Sequence, residues 1–167
     1  MMTGLILPLL LSLQLANAVP ILPKWFGDNM ILQTNSEYGA RSFLNGKADP
    51  SEIITFKFNP SPSQFGDTIT TVTQADGTFD VQLYPSSDFS QEFNITVSGS
   101  SNPDKLVIAR HVKFGDVFFC SGQSNMVFPL NLAFNATEEA ATLANYPNFR
   151  FFHVQMDYSS TPQFDLR

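Results

Sequence analysis

Between Glu52 and Phe58 the residues Ile54, Phe56 and Phe58 fall on one face and Thr55 and Lys57 on the other, the period of two that a half-buried strand imposes. The same alternation returns where Phe79, Val81 and Leu83 interleave with Thr78, Asp80 and Gln82. It returns again where Phe93, Ile95 and Val97 interleave with Asn94, Thr96 and Ser98. Thr68 to Thr73 is β-branched throughout, and with Asp76-Gly77 as a turn, residues 68–83 predict a hairpin. Short strands at this spacing, punctuated by Gly, Pro, Asn, Asp and Ser, predict a β-sandwich over residues 19–104. With 43% of its residues hydrophobic and only 14% charged, the chain has the apolar material for such a core, which excludes wholesale disorder.

The pattern changes after the polar stretch from Ser98 to Asp104. Asp116-Val117-Phe118-Phe119-Cys120 is too uniformly apolar to keep one wet face, as expected of a strand covered on both sides. Cys120 would pack within it as a small hydrophobe, with no basic or exposed setting to activate the thiol. Thr137 to Asn145 is rich in helix formers, opens with Thr and two acids suited to a helix N-terminus, and stops before Pro147. Phe149 to Val154 is strand-like again. Strand, helix and strand make one βαβ unit, the start of a parallel α/β domain over residues 105–167. One unit cannot bury Phe118, Phe119, Phe151 and Phe152, so this second domain is expected to be incomplete, its rest missing or supplied by another chain.

Charge and composition exclude several functions. Nine Lys and Arg against fifteen Asp and Glu give a net charge of −6 with no basic cluster, so no nucleic-acid partner is expected. The acidic excess reads as solvated surface. A single cysteine and two distant histidines form no metal motif, and neither a metal nor a cofactor is expected.

Leu5 to Leu15 is almost continuously apolar and ends at Ala16-Asn17-Ala18, the small-residue pattern of a signal peptide over residues 1–18, cleaved after Ala18. The run is about half the roughly 20 residues a membrane span requires, so no span is expected and the product would be secreted or lysosomal. Asn94-Ile95-Thr96 and Asn135-Ala136-Thr137 are glycosylation sequons, and alternation puts Asn94 on the face opposite Phe93 and Ile95.

Ser121-Gly122-Gln123-Ser124-Asn125-Met126 follows the apolar run directly. Ligands of α/β sheets bind beyond the carboxyl ends of strands, and a tight Gly-containing turn there can hold a serine hydroxyl proud of the sheet. By composition alone, the same hexapeptide also fits an ordinary turn whose Ser and Asn bond to local backbone. The wider stretch from Gly115 through Cys120, Ser124 and Met126 to Leu130 resembles the nucleophile segment of the sialate O-acetylesterase family, a branch of the SGNH/GDSL hydrolases. Phe26-Gly27-Asp28-Asn29-Met30-Ile31-Leu32-Gln33 is similar to the family's opening motif, Ala75-Asp76-Gly77-Thr78-Phe79 to its central hairpin, and Thr161-Pro162-Gln163-Phe164-Asp165-Leu166 to the segment leading into its middle portion. Val127 departs from the pattern, which usually has a polar or acidic side chain there.

The resemblance implies a jelly-roll-like β-sandwich followed by the start of a flavodoxin-like SGNH hydrolase domain, and an esterase that removes acetyl groups from sugar hydroxyls. Its substrate would be an O-acetylated sugar or sialoglycoconjugate. Ser124 would be the nucleophile and its own N–H an oxyanion donor. The Gly and Asn that complete the oxyanion hole, and the Asp-x-x-His that activates the serine, would lie downstream of the Thr-Pro-Gln segment. The chain is therefore expected to be the N-terminal portion of such an enzyme, inactive alone and in need of a C-terminal half. His111 precedes the serine, and His153 has Arg150 where the motif needs Asp, so neither fits as the base. The alternative reading is a non-catalytic secreted sandwich that binds carbohydrate or a protein partner.

Overall fold

A computed structural model describes residues 19–34, 41–84 and 88–165. The signal peptide expected over residues 1–18 lies outside the described residues. The described residues form seven strands: β1 (Ile31–Gln33), β2 (Phe43–Lys47), β3 (Ile53–Asn59), β4 (Thr68–Val72), β5 (Thr78–Gln82), β6 (Glu92–Gly99) and β7 (Asn102–Gly115). Five form one sheet in the order β1-β7-β6-β3-β4, and β2 pairs with β5 in a second. All pairings are antiparallel except that of β1 with β7, where Leu32 lies opposite Phe114.

The alternating segments become strands because each can bury one face. Ile54, Phe56 and Phe58 of β3 and Phe93, Ile95 and Val97 of β6 point inward from the large sheet, and Leu44, Phe79, Val81 and Leu83 meet them from the other side. Phe56 and Phe79 touch edge to face across the two sheets, with centroids 6.1 Å apart. Each large apolar side chain so buried contributes about 1.5–3 kcal/mol relative to exposure.

Glu52 is a charged residue inside this arrangement, 5% exposed. Its carboxylate accepts the Asp49 N–H at 3.2 Å, the Ser101 N–H at 3.1 Å and the Ser101 hydroxyl. Its own N–H donates to the Thr73 hydroxyl at 2.8 Å, and Thr73 N–H returns to its carbonyl at 2.9 Å. Glu52, through its side chain and its backbone together, thereby ties the entry of β3, the exit of β4 and the β6–β7 turn. Gly99 is required beside it, since a Cβ there would collide with the Glu52 carboxylate.

Four expectations need correction. Residues 68–83 do not form a hairpin: β4 pairs with β3 and β5 with β2, so the Asp76-Gly77 turn carries the chain from one sheet to the other. Local turn chemistry sets a change of direction, but which strand each arm joins depends on neighbours distant in sequence. The polar stretch from Ser98 to Asp104 holds the tight β6–β7 connection, and β7 runs on to Gly115, across the boundary expected at 104/105. Asp116–Cys120 and Phe149–Val154 are not strands, so the described residues contain no βαβ unit. Cys120 is correspondingly exposed. An apolar run needs a neighbouring strand to receive its backbone hydrogen bonds, and among the described residues none pairs with either segment. The expected helix does form, as α2 (Ala136–Thr142) continued by a 3-10 turn at Leu143–Asn145.

Candidate functional site

The chain leaves the sandwich at Gly115, whose carbonyl accepts the Thr34 N–H at 3.1 Å, and Val117 N–H donates to the Gln33 side chain at 2.6 Å. Beyond this the backbone is irregular as far as a one-turn helix, α1 (Ser124–Val127). Gly122 lies close beneath the Met126 side chain, where a Cβ would come within 2.5 Å of its Cγ. The Met126 N–H closes the turn on the Gln123 carbonyl at 2.9 Å.

Ser124 is the first residue of α1 and is exposed. Among the described residues its hydroxyl has no hydrogen-bond partner. A serine hydroxyl is a weak nucleophile until a base takes its proton, and the two histidines are engaged elsewhere. His111 places Nδ1 2.5 Å from the Glu92 carboxylate. His153 stacks on Phe151, the planes within 10°. Neither is brought to Ser124 by a hydrogen bond.

The segment after Gly115 is tied back to the sandwich at several points. Besides Val117, Lys113 Nζ donates to the Asn148 side chain at 3.0 Å and approaches Glu92 at 4.0 Å. The Thr-Pro-Gln segment docks against the N-terminal strap: Lys24 N–H donates to Asp165 at 2.8 Å, and Lys47 sits 4.6 Å over the Phe164 ring. Trp25, Gln163, Phe164 and Asp165 line an open cavity of about 300 Å³ there. The hydrogen bond from His111, then the nearby charges of His111, Lys113 and Arg150, hold the Glu92 carboxyl below its ordinary range. Sequence reasoning missed both this cluster and the cavity, since each joins residues whose proximity depends on strand register or on docking of the far end of the chain.

Of the two sequon asparagines, Asn94 is exposed on β6, and Asn135 adopts a left-handed conformation at the start of α2, donating from Nδ2 to Glu138 at 2.8 Å. Among the described residues no cluster of three or more His, Cys, Asp or Glu could hold a metal ion, and no helix is long and apolar enough to cross a membrane.

No protein-family model matches the chain. Sialate O-acetylesterase of Homo sapiens is 28% identical over 153 residues, covering 90% of this chain and 28% of that protein. The Mus musculus sialate O-acetylesterase is 28% identical over 140 residues, 83% of this chain and 25% of its own length. A solved carbohydrate acetylesterase from Xanthomonas citri superimposes with a TM-score of 0.70 at 28% identity, over 89% of this chain and 31% of that one. This chain is similar to the sialate O-acetylesterases. It spans about a quarter of the length of the sialate O-acetylesterases it matches.

Proposed function

We propose that this chain is an esterase-family member that carries the nucleophile end of a carbohydrate O-acetylesterase site, in a secreted or lysosomal protein whose leader is removed after Ala18. The substrate is an O-acetylated sugar of the sialic acid class. Ser124 Oγ attacks the acetyl carbonyl carbon as a histidine takes its proton, and the Ser124 N–H donates to the oxygen that becomes negative. Collapse breaks the bond to the sugar oxygen, which leaves with the proton from that histidine, and water then releases acetate from the serine. His111 pairs with Glu92 and His153 stacks on Phe151, so the histidine of this step, its orienting aspartate and the other oxyanion donors are the parts that another segment must supply.

The observation that carries this reading is Ser124 itself, exposed at the start of a one-turn helix, in a chain similar to acetylesterases over most of its length. The test is a chimera in which this chain replaces the matching part of the human sialate O-acetylesterase. Expected is acetate release from O-acetylated sialic acid that Ser124→Ala lowers by about four to six powers of ten. The isolated chain should hydrolyse activated acetyl esters no faster than its own Ser124→Ala variant. An inactive but folded chimera would favour the second reading, a non-catalytic sandwich that binds sugar or protein, for which the engagement of both histidines away from Ser124 speaks.

A further inference from the structure

We propose that Asn94 is an N-linked glycan acceptor and that its carbohydrate lies over the outward face of the larger sheet. The inference does not depend on esterase activity. Asn94-Ile95-Thr96 has the acceptor pattern, and β6 turns Phe93, Ile95 and Val97 into the core while Asn94 faces solvent. The register between β6 and β7 shifts between Phe93 and Ile95, and the extra residue of this bulge includes His111 at φ 56°. His111 N–H, displaced from the regular ladder, donates to Asn94 Oδ1 at 3.2 Å. Asn94 Nδ2 has no hydrogen-bond partner among the described residues.

The two ends of the carboxamide therefore have separate tasks. Oδ1 supports the bulge, and Nδ2 is the atom that glycosylation uses. Transfer from a lipid-pyrophosphate-linked oligosaccharide forms a bond from Nδ2 to the anomeric carbon, breaks the bond from that carbon to the pyrophosphate oxygen, and releases lipid pyrophosphate and one proton from Nδ2. Oδ1 keeps its lone pairs, so the bulge survives the modification. Thr96, on the same face, lies opposite Ile108, which is 39% exposed, and cross-strand neighbours on one face lie within reach of a sugar on Asn94. The glycan would cover this apolar spot.

The test is translation of the full chain, with residues 1–18 exchanged for a proven secretory signal, in the presence of microsomes, followed by glycosidase treatment and peptide mapping. Expected is one glycosidase-sensitive mass increment at Asn94, lost in Asn94→Gln and Thr96→Ala and kept in Thr96→Ser. Thr96→Ala is the cleaner variant, because it leaves the Asn94 to His111 bond in place. Because transfer acts on the emerging chain, a variant that folds poorly still reports its acceptor. A further glycan lost only in Asn135→Gln would leave the assignment standing. No increment, or one that Asn135→Gln alone removes, would overturn it.

Discussion

Residues 41–115 and residues 116–165 are both rich in large aromatic side chains, yet Phe56, Phe79 and Phe93 are at most 2% exposed whereas Phe118, Phe119 and Phe134 are 83%, 87% and 98% exposed. No described residue after Gly115 is buried. Composition does not separate the two regions. In the first, the inward apolar faces of the two sheets meet each other, and strand ladders satisfy much of the backbone. In the second, the apolar side chains stand on a backbone held to the sandwich at a few polar points. Hydrophobic side chains supply a driving force for burial, but only a partner surface turns it into structure.

The largest expected contrast is in hydrogen exchange. Amides of β3 and β6 should be protected by roughly three powers of ten or more over those of Asp116–Cys120 and Phe149–Val154, which should exchange at nearly random-coil rates. Equal protection in the two regions would break the comparison outright.

Truncation should follow the same division. Phe56→Ala, at a fully buried contact with Phe79, should cost about 3–5 kcal/mol in denaturant unfolding, whereas Phe134→Ala should stay within about 0.5 kcal/mol of the parent. Glu52→Ala should cost about 2–3 kcal/mol, because it orphans the Asp49 and Ser101 N–H groups. A cost near zero would mean that the loops tied by Glu52 are held by other contacts.

The smallest effect concerns the seam between the regions. The folded-state pKa of Glu92 lies below its unfolded value, so the carboxylate contributes stability above the ordinary carboxylate range, and this is lost as pH falls through the lower folded value. Melting curves of the parent and Glu92→Gln should converge as pH drops below about 4. The same variant should loosen the Lys113 to Asn148 contact, read as faster exchange around Asn148, while β3 keeps its protection. Parallel melting curves at every pH would show that the pair contributes nothing.

Much of the sandwich could be read from the residues. Alternation over Glu52 to Phe58 and Phe93 to Val97 placed β3 and β6 and assigned their inward faces, because a period of two is set by the backbone of a single strand. Helix α2 was legible from its helix-forming composition and acidic first turn. The Gly-Gln-Ser-Asn turn was legible too, since tight turns announce themselves in their own residues.

Pairing was not legible in the same way. The Asp76-Gly77 turn looked like the tip of a hairpin, and only the positions of β2 and β3 show that its two arms belong to different sheets. The apolar run ending at Cys120 looked like a buried strand, yet it lies open because no strand among the described residues pairs with it. The clustering of Glu92, His111 and Lys113, and the return of Phe164 and Asp165 to Lys47 and Lys24, likewise had no local signature. Local geometry repeats every two or every three to four residues and so leaves a trace in the sequence. Register, sheet membership and burial depend on surfaces distant in the chain, and those were decided only in three dimensions.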